Sequence, residues 1–291
     1  MVRIHVTGPI PPEIEAELAA DFDLVDAPEG VDGLLTLLTT DVDAKLLDRA
    51  GPQLRVIANY AVGVNNIDLV EARRRGIVVA NTPDVLTRTT AELAVGLMLA
   101  LLRRIAEGDR LLRREDSWAF SLTFMLGESL DGKLVGIVGP GRIGRETARL
   151  VEAFGAQTTF AGRNDPLDPL LEVADVVSIH CSLTPKTRHL IDAAAFARMK
   201  PTAVLVNTAR GPIVDERGLV HALQTGEIAG AALDVYEDEP QVSAELLELE
   251  NVVLCPHLGS ATRATRHAMG MLAVDALRTV LLADGLPRNV V

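Results

Sequence analysis

Two cysteines in 291 residues are too few for a disulfide framework or a cysteine-based metal cluster. Cys181 and Cys255 end the apolar runs VVSIHC and VVLC, so both are expected as reduced residues of buried strands, and no metal site is expected. Long apolar runs are missing too. No segment approaches the ~20 uninterrupted apolar residues of a membrane span, and the opening MVRIHVTGPIPPEIEAEL holds too short an apolar stretch for a secretory signal. A cytoplasmic protein without a membrane partner is the expectation. Positive charge is also scarce: 28 Lys and Arg against 40 Asp and Glu give a net charge of −12. That balance argues against the clustered basic surface a nucleic-acid partner would need. Repeats, low-complexity segments and linkers do not occur.

What the chain does have is apolar content, 48%, enough for one large domain or two ordinary ones with buried cores. Short β-branched runs alternate with amphipathic stretches, the pattern of βαβ units in a parallel sheet. In the first third, RIHV, GLLTL, LRVIA and GIVVA read as strands, and residues 12–20, 44–49 and 69–74 as helices, with Gly51 and Gly76 as helix stops. From Thr89, TTAELAVGLMLALLRRIAEGDRLLRR reads as one long helix. A second α/β set follows in KLVGIVG, TTF, VVSIH, AVLVN, AGAALDV and NVVLC, and the chain closes on another long helix that stops at Gly285. The fold class is α/β, with two Rossmann-like or flavodoxin-like lobes of parallel sheet and the second lobe inserted in the first. The expected division is residues 1–90 with 266–291 against residues 91–265.

The inserted lobe opens on KLVGIVGPGRIGRETARLVEAF. Gly139, Gly141 and Gly144 stand in G-x-G-x-x-G spacing between a strand and a helix, the arrangement of a dinucleotide-binding turn. The first glycine makes a tight turn, the second lets a pyrophosphate approach the backbone, and the third lets helix and strand pack closely. The phosphates would meet the unpaired N–H groups and positive dipole end of the helix.

Downstream, VNTARGPIVDERGLVHAL, GAALDVYEDEP and VVLCPHLGSAT, with NYAVGVNNIDL and LTRTTAELAVGLMLA upstream, resemble the D-isomer-specific 2-hydroxyacid dehydrogenases, most of all the glyoxylate and hydroxypyruvate reductases. The resemblance covers nearly the whole chain, with five motifs in the family's order. It implies a homodimer of two-lobed subunits with the active site in the cleft between lobes. It also implies a catalytic arginine, glutamate and histidine at Arg210, Glu239 and His257, and a turn at Val62 and Gly63 whose backbone N–H groups bind the substrate carboxylate. Cofactor contacts carry over to Arg142 and Ile143 in the glycine-rich turn, to Ser182, to Thr208 and to Asp234, the last suited to the nicotinamide carboxamide. Thr90 is expected as a helix cap or a cofactor contact. Trp118 is expected at a dimer contact near the site or in the core.

The residue types fit such chemistry. Reducing a small 2-oxo acid takes a cation for the carboxylate, a hydride on one face and a proton for the oxygen. Arg210 offers a permanently charged fork. His257 can carry the proton, and Glu239, bonded to the other ring nitrogen, would orient the imidazole and favour its charged form. His5, His180, His189, His221 and His267 are expected as surface or satisfied core residues. Two other readings stay open. One is a dinucleotide-sensing corepressor-like binding protein of the same fold; the other is a D-3-phosphoglycerate dehydrogenase lacking its regulatory domain, a reading the chain's length weakens. Formate dehydrogenase is disfavoured because Glu239 is present.

The chain departs from the family's pattern after FAGR. Only NDPLDPLLEVAD, residues 164–175, lies between Arg163 and the strand near Val176, where typical relatives carry an additional strand and helix at the sheet edge. Arg163 stands 19 residues after Gly144, close to the place, roughly 20 residues on, of the acid that reads the NAD ribose. An arginine there suits a 2′-phosphate, so NADPH is favoured over NADH, with Asp165 as the competing ribose contact.

Overall fold

The computed structural model describes residues 1–115 and 117–291. The chain splits into two compact units, one made of Met1–Leu86 and Ala261–Val291, the other of Thr87–Ser260.

The first unit runs β1 (Arg3–Val6), α1 (Pro12–Ala19), β2 (Asp23–Val25), β3 (Gly33–Thr36), α2 (Ala44–Ala50), β4 (Val56–Asn59), α3 (Leu69–Arg74) and β5 (Val78–Ala80). All five strands are parallel, in the order β2-β1-β3-β4-β5. Every residue of GLLT in β3 and VIAN in β4 is buried, as expected of central strands covered on both faces. Asp43 and Asp68 start α2 and α3 by accepting N–H groups three residues on, which satisfies donors the helix itself leaves unpaired. The strand β2 is not among those expected from the sequence; it is a three-residue edge strand with no buried position.

The second unit begins with α4 (Thr87–Leu102) and α5 (Ile105–Arg113). These are two helices where the sequence predicts one. Arg104 between them is left-handed, φ 54, and its guanidinium closes onto Glu107 at 2.6 and 2.8 Å. The Leu102 carbonyl, freed from the helix, accepts the Glu128 N–H at 2.8 Å. Then follow β6 (Leu134–Val138), α6 (Arg142–Glu152), β7 (Gln157–Ala161), α7 (Asp168–Val173), β8 (Val176–Ile179), α8 (Ala193–Phe196), β9 (Val204–Asn207), α9 (Glu216–Thr225), β10 (Gly230–Leu233), α10 (Ala244–Glu248) and β11 (Val252–Leu254). The closing helix of the chain, α11 (Arg263–Leu281), belongs to the first unit.

The second sheet is also parallel throughout, in the order β11-β10-β9-β8-β6-β7. The chain runs outward from β6 to β7 and then crosses back to β8, so the strand order reverses between β6 and β8. In open α/β sheets such a reversal opens the crevice where ligands bind, beyond the carboxyl ends of the strands. β7 is the edge strand. Between it and β8 the chain keeps a short helix, α7, and no strand.

Candidate active site

At the reversal, Gly139 follows β6 with φ 93, and a side chain there would strike the Cys181 backbone at 2.5 Å. Gly144 faces the same kind of constraint: a Cβ would lie 2.5 Å from the Gly139 carbonyl and 2.9 Å from Ile137. The fold itself therefore requires these two glycines. Gly141 differs, because a Cβ built on it meets nothing within 4 Å. Gly141 is the N-cap of α6, a position glycine favours, and without a side chain it leaves the N-terminus of the helix open to a ligand. α6 itself buries Gly144, Thr147, Ala148 and Val151, a helical stripe packed on both α4 and the sheet, and Arg142 is exposed at its mouth.

The other residues expected around a dinucleotide lie at the carboxyl ends of neighbouring strands. Thr208, after β9, is 8% exposed, and its Oγ1 has no hydrogen-bond partner among the described residues. A buried hydroxyl left unpaired is costly, and this one is able to take an external partner. Ser182, two residues beyond His180, is exposed and its carbonyl accepts the Thr187 hydroxyl at 2.7 Å. After β7, Arg163 is exposed. Asp165 is committed elsewhere, because its Oδ2 accepts the Gly162 N–H at 2.8 Å and closes the turn. The residues present therefore fit a nicotinamide dinucleotide. Gly139, Gly141, Arg142, Ile143 and Gly144 would take its pyrophosphate, Arg163 its adenosine end, and Ser182 and Thr208 its nicotinamide half; Asp234, expected with them, is instead fully buried with both carboxylate oxygens bonded to backbone N–H groups.

Beyond β9 and β10 the polar side chains interlock. His257 Nδ1 and Glu239 Oε2 are 2.8 Å apart, and Glu239 Oε1 accepts the Tyr236 N–H at 3.0 Å. Burial alone would raise the Glu239 carboxyl's pKa. The bond to His257, the Tyr236 N–H and the charge of Arg210 outweigh it and hold that pKa below the ordinary glutamate value. An ionised carboxylate only accepts, so Nδ1 carries the proton and donates it, leaving Nε2 as the nitrogen that can exchange a proton with a ligand.

His257 adopts φ 55, a left-handed conformation that costs a residue with a Cβ about 1–2 kcal/mol. Asp234 holds it there. The Asp234 carbonyl accepts the His257 N–H at 2.9 Å, its Oδ1 the Leu258 N–H at 2.6 Å and its Oδ2 the Gly259 N–H at 2.8 Å. Asp234 is fully buried, and its pKa is raised by that burial against the pull of the two backbone bonds. The loop's far end is fastened by Thr90, whose hydroxyl donates to the Gly259 carbonyl at 3.0 Å. Thr90 lies inside α4 and is thus not its cap; its one donor is spent on this loop.

Arg210 stands one residue before a short 3-10 turn, Gly211–Ile213. Burial lowers its guanidinium pKa, opposed by the charge of Glu239, and its Nη1 donates to the Ala209 carbonyl at 2.6 Å. The buried Asn207 braces this loop, donating to the Arg210 carbonyl at 2.9 Å and accepting the Ala209 N–H at 3.0 Å. Of the histidines given a bland expectation, His180 bonds Ser178 at 2.9 Å, and burial pushes its pKa down to about 4. Trp118 is not a core residue: it is 54% exposed and stacks on Phe124 at 6.1 Å.

In the first unit, the loop after β4 shows a regular arrangement. Three successive carbonyls are pinned inward: Ala61 accepts the Thr82 N–H at 2.9 Å, Val62 the Asn81 side chain at 2.8 Å, and Gly63 the Asn59 side chain at 2.8 Å. In a trans peptide the N–H opposes the carbonyl, so the N–H groups of Val62, Gly63 and Val64 turn the other way. Consecutive N–H groups of this kind make an anion-binding concavity. Sequence reasoning names Val62 and Gly63 but misses Val64 and the two asparagines. Asn59 ends β4 and Asn81 directly follows β5, and these strands pair with Ala58 beside Ala80.

A glycine-rich strand-to-helix turn, with a histidine backed by a carboxylate and a half-buried arginine in the same unit, fits the class of nicotinamide dinucleotide-dependent oxidoreductases. Comparison with known proteins narrows the class. Residues 95–259 match the model of the D-isomer specific 2-hydroxyacid dehydrogenase NAD binding domain. A Staphylococcus aureus protein, provisionally named a 2-hydroxyacid dehydrogenase, is 42% identical over 95% of both chains. A solved structure from Thermus thermophilus superposes with a TM-score of 0.92 at 39% identity, covering 100% of both chains. An NADPH-dependent glyoxylate/hydroxypyruvate reductase of Sinorhizobium meliloti, solved with NADP and malonate, gives a TM-score of 0.89 at 36% identity, covering 100% of this chain and 96% of that one. The chain belongs to the D-isomer-specific 2-hydroxyacid dehydrogenase family, whose members act on 2-oxo and 2-hydroxy acids with a nicotinamide dinucleotide. No helix among the described residues is long and apolar enough to cross a membrane.

Proposed function

We propose that the protein reduces glyoxylate, hydroxypyruvate or a closely related small 2-oxo acid to the D-2-hydroxy acid, with His257 as the acid and, in reverse, the base. The observation that carries this reading is the 2.8 Å bond from His257 Nδ1 to a glutamate held ionised. It fixes the tautomer and leaves Nε2 to protonate the oxygen that becomes the hydroxyl. The dinucleotide, when bound, supplies the hydride. Arg210 grips the substrate carboxylate and polarises the carbonyl. The test is a panel of 2-oxo acids mixed with each reduced cofactor. Loss of nicotinamide absorbance with glyoxylate or hydroxypyruvate is expected, and no oxidation with any 2-oxo acid would leave a dinucleotide-sensing role instead.

NADPH is the favoured cofactor. Supporting this, Arg163 is exposed 19 residues after Gly144, close to the roughly 20-residue offset expected of a ribose-reading residue, and Asp165 is tied to its own turn. Replacing Arg163 with Ala should lower kcat/KM for NADPH about tenfold or more, the weight of a charge-assisted hydrogen bond, and change that for NADH little. Wild-type protein that prefers NADH would overturn the assignment.

A homodimer in the cytoplasm completes the reading. The stretch from Trp118 to Leu126 exposes Trp118, Phe120, Leu122, Phe124 and Leu126, and a run of exposed large apolar side chains is the kind of surface a partner subunit covers. Light scattering should give twice the chain mass, falling to the monomer mass in the Phe120→Asp, Leu122→Asp double variant; a monomeric wild type would count against it.

A further inference from the structure

A second histidine–carboxylate pair lies close to the first. His189 Nε2 is 2.5 Å from Glu237 Oε1, with Arg188 Nη1 3.6 Å from the same oxygen. The other oxygen of Glu237 accepts the Glu216 N–H at 3.3 Å, and Glu216 Oε2 accepts the Glu237 N–H at 3.1 Å. This reciprocal pair ties the first residue of α9 to the loop after β10. His189 is itself anchored, because its backbone N–H donates to the Pro212 carbonyl at 2.9 Å. Between these bonds sits Gly211, so close to the Tyr236–Glu237 peptide that a Cβ would fall 1.8 Å from the Tyr236 oxygen. The cluster therefore gathers three loops, those after β8, β9 and β10. Arg210 immediately precedes Gly211, and Glu239 lies two residues after Glu237, in a stretch where the Tyr236 N–H holds the Glu239 carboxylate at 3.0 Å.

We propose that His189, Glu237 and Glu216 form a positioning clamp that fixes Glu239, and through it the His257 imidazole, relative to Arg210. The clamp acts through the Tyr236–Glu237 peptide and rests on the roles proposed above for Arg210, Glu239 and His257. Its physical basis is tolerance: groups that share a transition state must be held to within about 0.5 Å, and a displacement of about 1 Å can cost a hundredfold in rate. Glu237 ties the catalytic-loop backbone to α9 and to His189 at once. Deleting its carboxylate frees the peptide that aims Glu239 and removes the acceptor for the N–H of Glu216.

The test uses full-length protein and two independent readouts. Without substrate, proton NMR of wild type should show a low-field Nδ1 proton of His257, bonded to Glu239; Glu237→Ala and His189→Ala should broaden or lose it, and His189→Gln, which keeps a donor toward Glu237, should retain it. With glyoxylate and the preferred cofactor, the two alanine variants should lose roughly 10- to 100-fold in kcat, with KM for the oxo acid and cofactor Kd within about twofold, and His189→Gln should recover most of the loss. If Glu237→Ala does not fold, His189→Ala carries the comparison. A folded alanine variant that keeps both resonance and turnover, or loses only melting temperature, overturns the clamp. Should wild type turn over no 2-oxo acid while the resonance still responds as described, the clamp stands and the functional reading fails.

Discussion

Replacing His257 with Gln is expected to cut turnover of the 2-oxo acid by about 10²- to 10⁴-fold, the usual weight of a positioned acid–base group, with cofactor Kd unchanged. Gln can approximate the shape of the imidazole and still donate to Glu239, but it has no proton to exchange at the position of Nε2. The loop should survive the change, since its left-handed turn is held by backbone bonds to Asp234 and by Thr90 on the Gly259 carbonyl. Stopped-flow turnover with glyoxylate, beside a fluorescence titration of the cofactor, separates the two effects. Turnover within tenfold of wild type would remove His257 from the proton path. The neighbouring Glu239 also constrains the pH profile. Its folded pKa is depressed, so the stability it contributes is present above the ordinary glutamate value and is lost only as pH falls through the lowered one. Any loss of activity between neutral pH and pH 5 must then come from another group.

Much of this site is legible in the sequence because its physical causes are local. A strand, three glycines at fixed spacing and a helix start define the turn at 139–144, and each run read as a strand in the second unit is one of β6 to β11. The break between α4 and α5 is not local. The string LLRRIAEG carries no proline and no glycine at the break. What ends α4 is the Glu128 N–H taking the Leu102 carbonyl from 26 residues away, which no periodicity can reveal. The braces escape sequence reasoning for a related reason. Asn59, Asn81 and Asn207 each hold a loop by side-chain bonds to its backbone, yet in the sequence they read only as strand ends. A signal does exist: VIAN, VVAN and VLVN all place Asn at or just past the last residue of an apolar strand run, a poor β-former whose amide can both donate and accept.

Arg210 gives the second large effect and the sharper test of substrate class. Arg210→Ala should lower kcat/KM for the oxo acid by about a hundredfold or more, because two hydrogen bonds to a charged group, each worth about 1.5–3 kcal/mol, are lost together. Arg210→Lys keeps the charge and loses the fork, so KM should rise strongly while kcat falls less. The comparison works because the guanidinium is already partly stripped of water, which is why burial depresses its pKa. A desolvated cation gains more from a carboxylate than one left in water does. An ammonium at the end of a more flexible stem would recover only part of that gain. The same variants assayed on an aldehyde lacking the carboxylate should differ little from wild type in KM. An unchanged KM for glyoxylate in Arg210→Lys would mean that the carboxylate is held by other groups.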